Sequence, residues 1–257
     1  MTTHRDTPVD VAAITRRVRD VSLMWSRLSF KAKFVCKSDT AYLFREVSTI
    51  QDVPRICDIY PADPMFARRI LLSNLCESAT AVLFNLLNDT LSQGRSLRLK
   101  SKLHGQLVIT DLFIVKVTNL SQSETFSVVR TYDEINARNG RLSIQPSDKK
   151  TIGTPRGHVW VAGRTSCGKF VNMDPTLEQF DVTVTGRSVP WLWIGESLCD
   201  SGVGIFDGKA TNIKTYHSSC FRVKEMLHSW TISDKAVDER GLNPQPLMKT
   251  LEKLVQC

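Results

Sequence analysis

The 257-residue chain carries 34 Lys and Arg against 26 Asp and Glu, for a formal charge of +8, and 42% of its residues are hydrophobic. This balance excludes a wholly disordered chain and supplies enough apolar side chains for one sizeable core. No stretch approaches the roughly 18 apolar residues of a membrane span, and seven cysteines without a CxxC pair argue against a disulfide framework.

Thr7-Pro8 reads as a helix start, with Thr as N-cap and Pro at the first helical position. Val11, Ile14, Val18, Val21, Trp25 and Leu28 then recur at spacings of three and four, the stripe of an amphipathic helix. Such a helix either docks on its own core or presents its face to a partner or a membrane surface. Residues 29–47 suggest one or two short strands. Asp63-Pro64 opens a second helix, running to about Ser92 before Gly94; its many apolar residues predict the central buried helix.

Residues 95–118 read as two strands joined near His104-Gly105. Further strands are predicted at Thr125–Arg130, Arg141–Ile144, His158–Ala162, Phe180–Thr185, Trp191–Ile194, Val203–Phe206 and Ile213–Tyr216. Helix returns at Ser219–Trp230 and, after Asn243-Pro244-Gln245-Pro246, at Leu247–Val255. The expected class is therefore α+β: a mainly antiparallel twisted sheet flanked by N-terminal and C-terminal helices. The chain divides into a helical region 1–94, a β-rich region 95–218 and a helical region 219–257, together forming one structural domain.

Motifs that would carry chemistry fall short. Gly163-Arg164-Thr165-Ser166-Cys167-Gly168-Lys169 matches G-x-x-x-x-G-K, but Phe170 replaces the Ser or Thr that holds Mg²⁺. No helix is predicted after it, so a hairpin is the better account. Cys199, His217, Cys220 and His228 lack the close pairs of a zinc site. Ser201 precedes Gly202-Val203-Gly204 and so makes no G-x-S-x-G elbow. The expectation is a non-enzymatic chain, with no catalytic residue, metal or cofactor.

What remains is charge. Arg95, Arg98, Lys100 and Lys102 fall within eight residues. A strand over 97–103 would put Leu97, Leu99 and Leu103 on one face and Arg98, Lys100 and Lys102 on the other, about 6.8 Å apart. Such a row suits phosphates or anionic headgroups, or else protects an exposed sheet edge. Lys149, Lys150, Arg156 and His158 form a second basic group, predicted in a loop. Trp191 and Trp193 would share one strand face, as core or contact residues or as a stacking platform.

The basic segment Arg95 to Asn119, entering the strand Gly105-Gln106-Leu107-Val108-Ile109-Thr110, resembles the matrix proteins of rhabdovirus-type negative-strand RNA viruses, particularly those of plants. The resemblance implies a virion protein that self-associates, binds the nucleocapsid or RNA, and attaches peripherally to anionic host membrane from the cytoplasm or nucleus. A viral movement or nucleic-acid transport protein is the alternative.

Overall fold

The computed structural model describes residues 8–29, 32–37, 41–46, 68, 72, 75–118, 125–129, 136–138, 141–143, 149–153, 157–179, 191–196, 198 and 212–232. Thr7, Phe180–Thr185, Val203–Phe206, Arg156, Cys199 and Leu247–Val255 lie outside them. Among the described residues the chain has mixed α/β content, with a curled, mostly antiparallel sheet and three helices.

The strands are β1 (Val9–Asp10), β2 (Ala32–Lys37), β3 (Ala41–Glu46), β4 (Leu97–Ser101), β5 (Gly105–Thr118), β6 (Thr125–Val129) and β7 (Asn136–Arg138). They continue as β8 (Arg141–Ser143), β9 (Lys149–Gly153), β10 (Gly157–Thr165), β11 (Phe170–Met173), β12 (Leu192–Gly195) and β13 (Asn212–His217). The helices are α1 (Val11–Ser29), α2 (Cys76–Ser92) and α3 (Phe221–Ile232).

Among the described residues the main sheet has seven strands, in the order β1-β4-β5-β10-β11-β12 with β13 also on β5. All its pairings are antiparallel except β1 with β4. Strands β2-β3-β6-β9 form a second sheet, and β7 pairs with β8.

One correction concerns the start of α1. Val9 is taken into the sheet, its N–H donating to Ser96 O at 2.9 Å. The helix therefore begins at Val11, and Asp10 is the side chain that caps it, accepting from Ala12 N at 2.9 Å. Val11, Val18 and Val21 are buried in one core with α2 and the sheet, so α1 docks on its own fold. Thr15 and Ser22 lie on the same buried face, tolerated there because their hydroxyls donate back to Val11 O and Val18 O at 2.7 Å.

Helix α2 has its expected end. Gly94 takes φ 73°, with Gly94 N–H on Leu91 O and Arg95 N–H on Thr90 O, so the last carbonyls are satisfied by a glycine-led cap. Of residues 63–75 only Arg68, Leu72 and Leu75 are described.

Strand β5 organises the sheet. Leu107 and Ile109 face the helices, and so do Leu112 and Ile114, although a period of two cannot serve both pairs. The register supplies the missing residue: Arg164 pairs with Asp111 and Thr165 with Ile109, leaving Thr110 as a bulge. At this bend the backbones approach closely, and a Cβ on Gly163 would meet Ile109 Cγ2 at 2.8 Å. Beyond the bulge Val115 and Val117 join Trp160, Ala162, Leu177 and Trp193 in a second core on the opposite face.

The row of cations also needs correcting. Strand β4 stops at Ser101, whose hydroxyl accepts from Leu103 N and His104 N and closes a turn. Leu103 consequently stands 89% exposed instead of joining Leu97 and Leu99 in the core. The β-hairpin reading of Gly163–Lys169 describes what is there: Thr165 N–H bonds Lys169 O, Gly168 turns at φ 86°, and β11 follows. Among the described residues no helix is long and apolar enough to cross a membrane.

Candidate active site: a buried thiol, imidazole and carboxylate

The predicted basic residues divide between the two sheets. Arg95, Lys100 and Lys102 are exposed, and Arg98 is partly buried, with its Nε enclosed and without a hydrogen-bond partner. Lys149 and Lys150 lie in β9, paired with Val129 and Val128, where a loop was expected. His158, grouped with them by sequence, belongs to no surface patch. It lies in the interior, and around it is the arrangement sequence reasoning missed.

Three elements meet there. Helix α2 opens with Cys76, a free thiol 5% exposed. Its N-cap is Leu75, which makes no side-chain cap bond, and the positive end of the helix dipole falls on the residue that bears the sulfur. One turn on, Thr80 Oγ1 donates to Val159 O at 3.1 Å, fixing the start of α2 against the start of β10. His158 is the neighbouring residue of that strand.

The β10–β11 hairpin brings the third group. Val161 pairs with Met173 and Ala162 with Asn172, which places His158 and Asp174 at the same end and on the same face. His158 Nε2 donates to Asp174 Oδ2 at 2.5 Å, and both side chains are fully buried. The second carboxylate oxygen accepts from Thr176 N–H at 3.0 Å and Thr176 Oγ1 at 3.1 Å, the local turn that Asp before Pro-Thr favours. Asp174 N–H bonds Trp191 O. From the following 3₁₀ turn, Leu177–Gln179, the Gln179 amide lies 3.2 Å from His158 Nδ1 and 3.3 Å from Thr176 Oγ1. Trp160 stacks beside the imidazole with ring centres 5.7 Å apart.

Burial alone would depress the imidazolium. The Asp174 carboxylate, by charge and hydrogen bond, and then the Cys76 sulfur, also by hydrogen bond and charge, raise His158 to about 10. His158 and Asp174 thus form a buried imidazole–carboxylate pair, with the Cys76 sulfur at the start of α2 among the groups that act on the imidazole.

A second histidine invites the same reading and does not sustain it. His217 Nδ1 lies 2.7 Å from Ser219 Oγ, and its Nε2 lies 3.5 Å from Asp111 Oδ1. That Nδ1 also accepts the Ser219 backbone N–H at 3.2 Å, so the ring closes the turn after β13. Arg164 grips Asp111 Oδ2 through two N–H groups, at 3.0 and 2.7 Å, and holds its carboxyl below the usual range. These interactions tie the β5 bulge to β13. Among the described residues no three His, Cys, Asp or Glu side chains gather as a metal requires.

Cys167, exposed at the hairpin tip, has its thiol lowered by the Thr165 hydroxyl, 3.2 Å away. Among the described residues it and the exposed Cys220 are the competitors in a thiol-labelling experiment.

No protein-family model matches the chain, and neither the curated proteins nor the solved structures yield a match. The guide to function is therefore the chemistry of the buried thiol, imidazole and carboxylate.

Proposed function

We propose that the chain is a thiol-dependent acyl-transfer enzyme acting on an amide, ester or thioester, in place of the non-enzymatic role expected from sequence. The observation that carries this reading is the buried His158–Asp174 pair, with the Cys76 sulfur at the start of α2 among the groups that raise the imidazole.

The Cys76 thiolate attacks the substrate carbonyl carbon, and the first-turn amides of α2 receive the developing oxyanion. The carbon–leaving-group bond then breaks as the His158 imidazolium gives its proton to the departing amine, alcohol or thiol. A thioester remains on Cys76. Water or a second nucleophile, losing its proton to His158, attacks that thioester and returns the sulfur as thiolate. Asp174 keeps the imidazole in place and stabilises its positive form.

Trapping tests this directly. With a panel of activated esters and thioesters, intact mass should show one added acyl group, mapping to Cys76. Adducts confined to Cys167 and Cys220, with Cys76 unmodified, would defeat the proposal.

A second reading keeps the exposed cations around β4. Arg98 and Lys100 project from the strand face opposite Leu97 and Leu99, and Arg95 and Lys102 flank them. This surface supports binding to RNA, a nucleocapsid or anionic lipid, as the matrix-like resemblance implies, and is compatible with a catalytic core. Binding to RNA and to phosphatidylserine vesicles should weaken steeply with salt. Changing Arg98, Lys100 and Lys102 together to Gln should weaken it about tenfold or more, because each cation removed from a phosphate takes its counterion-release contribution with it. Equal binding by that variant counts against the patch.

A further inference from the structure

In the conformation described, Cys76 is 5% exposed and both His158 and Asp174 side chains are fully enclosed, so no substrate carbonyl reaches the thiol without a local opening. The element placed to govern that opening is α1.

Helix α1 reaches both sides of the site. On the thiol side, Leu23 packs with Leu72, while Val18 and Val21 share the buried cluster of Leu75 and Cys76. On the carboxylate side, Arg19 Nε donates to Glu178 Oε2, although the two residues are 159 positions apart. Both side chains are nearly enclosed, 12% and 11% exposed. Arg19 also donates to Asp20 on its own helix at 2.7 Å, and Arg68 donates to the other Glu178 oxygen at 3.3 Å. Glu178 occupies the middle of the 3₁₀ turn, between Asp174 and Gln179. Its neighbour Gln179 meets His158 Nδ1, so a continuous path runs from α1 through one ion pair to the imidazole.

We propose that α1 is a strap: by gripping Glu178, Arg19 holds the Leu177–Gln179 turn against His158 and keeps Cys76 shielded, and release of this grip opens the site. Arg19 and Glu178 act here as positioning residues, through the turn rather than on substrate. A charge-assisted hydrogen bond between two mostly enclosed groups is hard to replace by water, so removing one partner destabilises the closed arrangement. The strap rests on the acyl-transfer reading and deepens it, because it concerns access to the same sulfur.

The test is the rate of Cys76 alkylation by iodoacetamide in the full chain, followed by peptide mass mapping, with Cys167 as an exposed internal reference. Arg19→Gln and Glu178→Gln should each accelerate Cys76 on the order of tenfold. The double variant should be no faster than Glu178→Gln alone, which already removes the carboxylate that both Arg19 and Arg68 grip. Arg19→Lys, which keeps the charge without the planar fork, should fall between. Unchanged Cys76 rates in both single variants overturn the strap, and so does acceleration that is additive in the double variant. Acceleration that follows the unfolding temperature across the four variants, instead of the rupture of this ion pair, overturns it as well. Faster labelling of Cys76 without any acyl transfer would leave the strap standing and remove the enzymatic proposal; turnover indifferent to Arg19 would do the reverse.

Discussion

Replacing Asp174 with Ala should lower the unfolding free energy by about 3–5 kcal/mol, measured by urea denaturation, because it leaves a charged imidazole buried without its counter-ion. The carboxylate has two further dependants, the Thr176 N–H and hydroxyl, and both are left without their acceptor. The same pair sets a pH dependence whose sign is fixed. His158 in the folded chain is raised to about 10, against about 6.5 in an unfolded one. Between those values the folded state holds a proton that the unfolded state has released, so stability falls as pH rises. The contribution is complete below about pH 6.5 and is gone once pH has passed through about 10. Asp174→Asn, which keeps the shape but not the charge, should flatten this slope. Wild-type stability that is level from pH 7 to 10 would mean His158 is buried neutral.

Much of the fold was legible because local rules and tertiary packing agree. The stripe Val11, Val18, Val21 and the Gly94 cap behave as periodicity and helix-end chemistry dictate. The hairpin Leu97–Thr118 falls where alternation and His104-Gly105 place it. Departures occur where a distant partner decides. Val9 leaves the helix for β4, a pairing with residues 88 positions away that no local pattern encodes. Lys149 and Lys150 read as loop because two adjacent lysines carry no alternation, yet β6 pairs with them. Leu103 reads as core because the alternation carries through Ser101, where the Ser hydroxyl instead turns the chain.

The site was illegible for a related reason. Cys76 and His158 are 82 positions apart, and neither sits in a motif of its own. His158 next to Gly157 and Arg156 looks like a surface cation; only the β10–β11 register brings it to Asp174. One signal was present: Asp174-Pro175-Thr176 directly after an apolar strand is a turn that satisfies one carboxylate oxygen locally and leaves the other free to point inward. Beside it, Thr80 shows why Cys76 can be placed with such economy. A single hydroxyl on a strand carbonyl fixes the helix start, and the sulfur follows from the helical period.

Cys76→Ala should reduce acyl transfer by a factor on the order of 10⁴ or more, with His158→Ala falling as far and the double variant no further. The size follows from chemistry: without sulfur no thioester forms, and without imidazole neither the attack nor the departure of the leaving group has a proton carrier. Non-additivity is the more telling outcome, because one mechanism can be disabled only once, whereas two independent contributions would multiply. The fold should hardly register the Cys76 change, since removing one sulfur from a packed helix end costs about 1 kcal/mol; a much larger drop in chemical denaturation would assign the rate effect to unfolding. Cys167→Ser and Ser219→Ala should leave the rate within a factor of about two, because the exposed Cys167 thiol bonds a threonine hydroxyl rather than a proton carrier, and the His217 ring closes the turn after β13. A Cys76→Ala protein that retains activity, or one whose effect multiplies with that of His158→Ala, would move the chemistry elsewhere and leave the buried pair as a device for holding β10, β11 and α2 in register.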